Sequence, residues 1–175
     1  NWVKSAVRGG TPGGPNFDEP TFVDTVLIES NEIWRYRKGT SAPPSQWRSP
    51  TFNDSSWSTG RTGIGYGDGD DATELSDMSG NYWSFAARKA FDLTRSEIDS
   101  FETLTLFVSY DDGFVGYVNG TEFARGSMGG NRGDPVAFDQ PAISHEAGGF
   151  ESFAIPTNLL QPGTNVLAVE VHNTT

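Results

Sequence analysis

The stretch from Gly65 to Leu75, GYGDGDDATEL, places three carboxylates, Asp68, Asp70 and Asp71, among three glycines. Carboxylate oxygens bind calcium and also accept hydrogen bonds from hydroxyl groups. An EF-hand loop counted from Asp68 would need an acidic residue where Ala72 stands, followed by glycine, and both are missing. No Gly-Lys-Ser/Thr follows, which excludes a phosphate-binding loop. The three carboxylates therefore meet a sugar hydroxyl, a calcium ion or water, and these alternatives stay open.

Two arginines could add a local basic patch to an otherwise acidic chain. Arg125 precedes the glycine-rich segment GSMGGNRGD, and Arg132 lies within it. Their guanidinium groups are suited to bidentate contact with a uronate or a sulfate. The chain has 12 Lys and Arg against 23 Asp and Glu, a net charge of −11, which disfavours nucleic acid as a partner. Both neutral and anionic glycans remain candidate ligands.

The residues that could carry catalysis do not form a recognisable catalytic arrangement. Asp111 and Asp112 are adjacent on a tight turn, so their carboxylates diverge and could not flank a glycosidic bond. His145 and Glu146 lack the HExxH spacing of zinc proteases, and the chain has no serine nucleophile elbow and no cysteine. We therefore predict a binding protein without enzymatic activity and without a required cofactor, with calcium as the one candidate ion.

Short apolar runs bounded by turn residues predict an all-β domain. The predicted strands are Phe22 to Glu29, Glu32 to Arg37, Phe85 to Asp92, Thr103 to Tyr110, Phe114 to Val118, Glu122 to Arg125, Ser152 to Ile155 and Asn165 to His172. A capping box from Thr94 to Glu97 predicts one short helix. The span from residue 39 to residue 82 has little periodicity and is predicted to be a long loop.

Turn chemistry and alternation refine this prediction. Asn119-Gly120 favours a type I′ hairpin, and Pro162-Gly163 favours a type II turn. The DDG triplet ending at Gly113 fits a short hairpin with a positive φ at the glycine. In the last strand, Glu170 and His172 alternate with apolar residues, so we expect both polar side chains on an outer, solvated face.

The chain divides into two parts by composition. Residues 1–20 contain four glycines and three prolines and are predicted to be a linker or the end of an upstream domain. Residues 21–175 form the predicted sandwich module. No apolar run approaches the roughly 18 residues that a membrane span needs. We expect a monomeric module of a larger protein, covalently linked to neighbouring domains and located outside the cell or at its surface.

Several blocks of the sequence together resemble a galactose-binding-like β-sandwich of the jelly-roll type. The blocks are WRYRKG at 34–39, WRSPTFNDSSWSTGRTGIGYGDGDD at 47–71, ARKAFDL at 87–93, VSYDDGFVGYVNGTEFAR at 108–125 and LLQPGTNVLAVEVHN at 159–173. The likeness covers residues 22–173. Similar modules are attached to bacterial glycoside hydrolases of the β-galactosidase and β-glucuronidase type, and others follow lamin-tail-like domains in large bacterial proteins.

The resemblance implies a non-catalytic role in which the sandwich binds sugars or packs against a catalytic domain. It also implies that four rings are core residues: Trp34, Trp47, Phe52 and Trp57. Four other rings stand in polar, glycine-rich segments and are predicted to stack on a sugar: Tyr66, Tyr82, Trp83 and Phe150. We predict an accessory module that binds a polysaccharide or oligosaccharide; the alternative is a structural spacer or docking sandwich without a sugar site.

Overall fold

A computed structural model of the chain describes residues 24–67, 69 and 71–174. The fold is all-β with one short α-helix. The strands are β1 (Ile33–Lys38), β2 (Ser58–Arg61), β3 (Ile64–Gly65), β4 (Thr73–Glu74), β5 (Ser84–Leu93), β6 (Thr105–Val108), β7 (Gly113–Val118), β8 (Thr121–Gly126), β9 (Glu151–Ala154) and β10 (Gly163–His172), and the helix α1 spans Arg95–Ser100 between β5 and β6.

A six-stranded antiparallel sheet in the order β2-β1-β5-β10-β7-β8 is the main layer. Its centre is the pairing of β5 with β10, which continues in register from Gly163 opposite Leu93 to His172 opposite Ser84. Strands β6 and β9 form a second, two-stranded antiparallel sheet, and β3 pairs with β4 in a short parallel ladder.

One face of the main sheet, which we call the sandwich face, packs against the smaller sheet. Phe85, Phe114 and Leu167 are buried on this face, and Leu106 and Phe153 from β6 and β9 pack against the same cluster. In β6, the exposed residues Thr105 and Phe107 alternate with Leu106 and Val108, which pack inward. This layer arrangement confirms the predicted β-sandwich class.

The opposite face, which we call the covered face, is buried as well. Residues 39–57 and 127–142 supply side chains that lie over it. Their buried contacts with the sheet join Trp47, Trp57 and Met128 to the strand residues Ala86, Val115, Tyr117, Val166 and Ala168. The core positions predicted for Trp34, Trp47 and Trp57 are confirmed by exposed fractions of 8%, 1% and 6%, and Phe52 packs partly buried on the same cluster.

Arg88 of β5 fastens the long loop to the covered face. Its side chain is 3% exposed and donates hydrogen bonds to the Ser49 carbonyl at 2.7 Å, to the Phe52 carbonyl at 3.2 Å and to the Asp54 carboxylate. A buried guanidinium is tolerated only when its charge and donors are matched in this way. The loop from residue 39 onwards is therefore a fixed cover over the sheet.

The expectation that Glu170 and His172 lie on a solvated face is wrong. The two side chains do share one face, but it is the covered face, and they are 2% and 0% exposed. The predicted alternation along β10 is confirmed. The long loop covers the face on which these two residues lie, and a two-residue periodicity carries no information about such a cover.

The predicted helix cap and the two predicted turns are confirmed. The capping box at Thr94 is present and begins α1, and Asn119 and Gly120 have the positive φ values of a type I′ turn, 52° and 88°. Gly163 has a φ of 88°, as a type II turn requires.

The hairpin predicted at DDG is wrong, because β6 and β7 belong to different sheets and this segment crosses between them. The predicted strand Phe22 to Glu29 is also wrong in its described part, since residues 24–29 are not a strand. Sequence reasoning missed β2, β3 and β4, whose short and largely polar or glycine-containing sequences show no apolar alternation. The linker predicted for residues 1–20 lies outside the described residues.

Burial shifts the pKa values of the two polar side chains on β10, His172 and Glu170, in opposite directions. It lowers the pKa of His172 to about 4, although the hydrogen bond to the Gln140 carbonyl at 2.8 Å acts in the opposite direction. It raises the pKa of Glu170, although the Arg48 guanidinium at 3.0 Å acts to lower it. His172 is therefore a neutral imidazole whose Nδ1 donates to Gln140.

We predict that this histidine weakens the fold in mild acid. The unfolded chain takes up a proton at His172 near the ordinary pKa of 6.5, whereas the folded chain resists until about 4, so stability is complete above 6.5 and falls below it. The loss between about pH 7 and about pH 5 should be about 2 kcal/mol. Urea unfolding of the wild type and of His172→Gln across this range measures it.

The same substitution at the half-exposed His145 is the matched control for removal of an imidazole. The His172→Gln variant should have a shallower dependence of unfolding free energy on pH than His145→Gln. An equal dependence of unfolding free energy on pH in the two variants would contradict the assignment of this pH dependence to His172. Glu170 has a slope of the opposite sign, since its raised pKa makes stability fall as the pH rises, and it is present in both variants.

Candidate functional site

The candidate site lies at one end of the sandwich, which we call the loop end. Here β5 and β7 begin and β8 and β10 end, as the register of Ser84 with His172 and of His172 with Gly113 shows. The segments that meet there are Tyr66 and residues 77–83, 109–112, 142–150 and 173–174. Each segment is tied to the rigid main sheet at one or both of its ends.

Tyr66, Trp83 and Asn173 are brought together at the loop end. The Asn173 side-chain amide donates to the Tyr66 hydroxyl at 3.0 Å, and the Asn173 backbone amide donates to the Trp83 carbonyl at 2.8 Å. The Ala142 amide donates to the Asn173 carbonyl at 3.0 Å. Trp83 remains 39% exposed, and its backbone is bonded to the residue whose side-chain amide contacts the Tyr66 phenol, a group that can both donate and accept hydrogen bonds.

A second group at the loop end is built on Tyr110. Its ring stacks on the His145 imidazole with centroids 4.3 Å apart and planes 9° apart, and its hydroxyl donates to Glu151 Oε2 at 3.3 Å. The His145 Nε2 lies 2.9 Å from the other Glu151 oxygen. Phe150 immediately precedes this carboxylate and is 71% exposed. The arrangement fixes a histidine and a carboxylate against Tyr110, and the carboxylate is one residue along the chain from this exposed ring.

Asp112 connects the His145 segment to the residues that follow β10. Its carboxylate accepts from the His145 amide at 3.1 Å and from the Thr174 amide and hydroxyl at 2.8 and 2.9 Å. Burial acts to raise the pKa of Asp112, but these hydrogen bonds outweigh it and hold the pKa below its usual value. Asp112 is thus an ionised structural clamp whose oxygens are occupied by this loop end.

The four predicted rings do not share one environment. Trp83 and Phe150 are exposed, and Tyr66 is half-buried with its hydroxyl bonded to Asn173. Tyr82 is 6% exposed and donates to Asp77 at 2.8 Å, so the expectation of a ligand-facing ring at this position is wrong. Burial and the Asp77 carboxylate raise the pKa of Tyr82, which keeps it a neutral hydrogen-bond donor.

Of the three predicted carboxylates in the glycine-rich stretch, the structure describes Asp71. Its Oδ1 lies close to Gly65, where an added Cβ would come within 2.8 Å of it, so a substitution at Gly65 would require the Asp71 side chain to shift. Asp68 and Asp70 lie outside the described residues. Within residues 24–67, 69 and 71–174 no group of three or more acidic, histidine or cysteine side chains is arranged to hold a metal. The calcium and hydroxyl alternatives stay predictions.

In the basic patch predicted at Arg125 and Arg132, the donors of Arg125 are already engaged. Arg125 is held by both oxygens of Glu122 at 2.7 and 2.9 Å and by the carbonyls of Gly129 and Asp134. Arg132 donates to the Phe123 carbonyl at 3.1 Å. The Glu122 carboxylate raises the pKa of Arg125, which keeps the pair charged and internally neutral. Arg125 therefore closes the loop after β8, whereas Arg132 is exposed, so the predicted patch is reduced to one accessible arginine.

Sequence reasoning missed three residues that organise the loop end: Asn173, Asp112 and the stacked His145. Asn173 directly follows the last predicted strand, which ends at His172, and no role was predicted for it. The sequence predicts a hairpin turn at Asp112, and it gives His145 no partner at a spacing typical of a known site. The signal for Asn173 was its position directly after the last strand, where polar side chains of antiparallel neighbours converge.

The described part of the chain has no helix long and apolar enough to cross a membrane. No protein-family model matches the chain. No curated protein matches it either.

Solved structures of β-glucuronidases share the fold. The enzyme of Bifidobacterium dentium complexed with coumarin-3-O-glucuronide has 16% identity and a TM-score of 0.53, over 81% of this chain and 19% of the enzyme. A β-glucuronidase from glycoside hydrolase family 2 has 19% identity and a TM-score of 0.51, over 85% and 15%. One from an uncultured Clostridium species has 19% identity and a TM-score of 0.52, over 90% and 24%.

The chain therefore spans less than a quarter of each of these enzymes. At these identities the likeness establishes the fold alone. The likeness confirms the fold that the resemblance implied, a β-sandwich that forms one part of glycoside hydrolases. The likeness to modules that follow lamin-tail-like domains stays a prediction.

We predict that the two neighbouring aromatics Tyr82 and Trp83 differ sharply in their contribution to stability. Tyr82→Ala removes a buried ring and should lower the free energy of unfolding by about 3 to 4 kcal/mol. Trp83→Ala removes a ring with a large exposed fraction and should cost about 1 kcal/mol or less. Urea denaturation at neutral pH measures both. Equal losses in the two variants would contradict the assignment of Trp83 to the surface.

Proposed function

We propose that this chain is a non-catalytic carbohydrate-binding module of a larger polysaccharide-active or surface protein that acts outside the cell. The observation that supports the proposal most directly is the exposure of Trp83 beside Asn173 and Tyr66 at the loop end of a sandwich of glycoside-hydrolase type. An exposed indole on a backbone bonded to Asn173, whose side chain contacts Tyr66, brings an apolar stacking surface and fixed polar groups to one end of the sandwich, which is what a pyranose requires.

In the proposed complex, Trp83 stacks on the apolar face of one sugar ring. The Asn173 amide and the Tyr66 hydroxyl lie at the edge of that ring and fix the direction of its hydroxyl groups. Phe150 is 71% exposed and offers a second stacking surface for a neighbouring sugar unit of the chain. Burying an exposed aromatic ring under a sugar is favourable because it removes apolar surface from water.

A second candidate function, a docking module for a neighbouring domain, is favoured by one observation. Phe107 on the outer face of the small sheet is 65% exposed, and its cross-strand partner Ser152 lies two residues from Phe150. An exposed phenylalanine on the small sheet and another directly before its second strand are suited to a protein interface. Docking through them would require neither Trp83 nor Asn173.

Binding to a panel of neutral and anionic polysaccharides, with and without EDTA, tests the proposed function. We expect affinity electrophoresis to show retardation by at least one polysaccharide. Trp83→Ala should weaken that binding by roughly tenfold or more, equivalent to about 1.4 kcal/mol, because the stacking surface is lost. Loss of binding in EDTA would assign a cation to the site.

Ile33→Ala is the control, since Ile33 is 53% exposed and begins β1 at the opposite end of the sandwich. It should bind as the wild type does. Absence of retardation by every polysaccharide in the panel, or equal weakening by Trp83→Ala and Ile33→Ala, would contradict a sugar site at the loop end and leave the docking function.

A further inference from the structure

The covered face contains a groove that is separate from the loop end. It has a volume of about 320 Å³ and lies between residues 42–48 of the long loop and residues 136–138 of the loop after β8. Pro43, Val136 and Phe138 form apolar walls, and Glu170 of β10 lies at its base beside Arg48. This size and this combination of apolar walls with few polar groups are typical of small-molecule sites.

Arg48 is held rigidly at the edge of the groove. Its guanidinium carbon lies 4.0 Å from the centroid of the Tyr117 ring and 5.0 Å from that of Trp47. Stacking between cation and ring fixes the plane of the guanidinium group and so the direction of its donors. The two rings are 5% and 1% exposed, so this support is part of the core.

The polar groups at the base of the groove have unused hydrogen-bonding capacity. Arg48 has five N–H donors, and the described residues accept from Nη2 alone, through Glu170 Oε2 at 3.0 Å. Its Nε is buried without a partner among those residues. The second oxygen of Glu170 lies 4.0 Å from His172 Nε2, too far for a hydrogen bond, and that nitrogen is also buried without a described partner. Buried polar groups in folded proteins are usually paired.

The charges in the groove select the chemistry of its ligand. Arg48 and Glu170 neutralise each other, and Glu170 is 2% exposed. A ligand carboxylate at the base would be repelled by Glu170, and a ligand cation would be repelled by Arg48. Neighbouring hydroxyl groups avoid both costs, because one can accept from Arg48 while the next donates to Glu170.

We propose that this groove is a second binding site, which takes a single neutral sugar ring through two adjacent hydroxyl groups bonded to Arg48 and Glu170. The apolar walls of Pro43, Val136 and Phe138 contact the carbon face of the ring. The site is built from the cover of the sheet and from β10, and it does not depend on the loop-end function proposed above.

NMR titration of the ¹⁵N-labelled 175-residue chain with D-glucose, D-galactose and D-mannose tests this site. At least one sugar should shift the amide signals of residues 42–48 and 136–138 with a dissociation constant on the order of 1 to 10 mM. D-glucuronate should shift them at least roughly tenfold more weakly, because its carboxylate faces Glu170. Silence of these amides with all three neutral sugars would overturn the proposal, as would equal or tighter binding of D-glucuronate.

Two classes of variant keep the test independent of folding. Glu170→Gln removes the buried charge and should weaken the neutral sugar by at least roughly tenfold. Ala137→Trp fills the groove from its exposed rim without replacing Arg48 or Glu170 and should abolish the shifts, whereas Ala154→Trp on the exposed side of β9 should retain them. Full binding by Ala137→Trp would overturn the proposal.

Trp83→Ala separates this site from the loop end. The variant should show the sugar-induced shifts of residues 42–48 and 136–138 at the same sugar concentrations as the wild type. Loss of those shifts in Trp83→Ala would overturn a separate groove site, whereas loss of polysaccharide retardation alone bears on the loop end and leaves the groove assignment standing.

Discussion

The pairing of β5 with β10 is the interaction on which the rest of the molecule depends. These two ten-residue strands lie at the middle of the main sheet, and every other strand of that sheet is added outward from them. Their side chains are buried on both faces, by the small sheet on one side and by the long loop on the other. Arg88 on β5 and Glu170 on β10 are the polar contacts through which that loop is held.

Burial of both faces decides where ligands can reach this sandwich. A flat sheet face cannot serve as a binding surface here, because the covered face is closed by Trp47 and Trp57 and the sandwich face by β6 and β9. Polar groups near solvent are left at the end of the strands and along the margin of the cover. Both proposed sites lie in these places, and both use groups whose positions are fixed by β10.

The sequence was sufficient for the parts of the fold that depend on local patterns. Alternation and turn chemistry predicted the main strands, the α1 cap and the Asn119-Gly120 turn within a few residues. The covered face was not predictable in this way, because Glu170 and His172 are buried by two loops, residues 39–57 and 127–142, that are distant from them in the chain. The same limit applies to Tyr82, whose burial depends on long-range packing, and to Arg125, whose charge is matched by a partner three residues away that gave no separate signal.

The two exposed rings of the loop end are attached to supports of unequal stiffness. Trp83 directly precedes β5 and is bonded through its carbonyl to the residue that follows β10, so it moves with the centre of the main sheet. Phe150 precedes β9, a four-residue strand in a sheet of only two strands. Amide hydrogens in such a small sheet exchange through local opening that the central strands do not share. Trp83 is therefore an anchor that loses little conformational entropy when covered, and Phe150 is the ring that can adjust to the shape of what it meets.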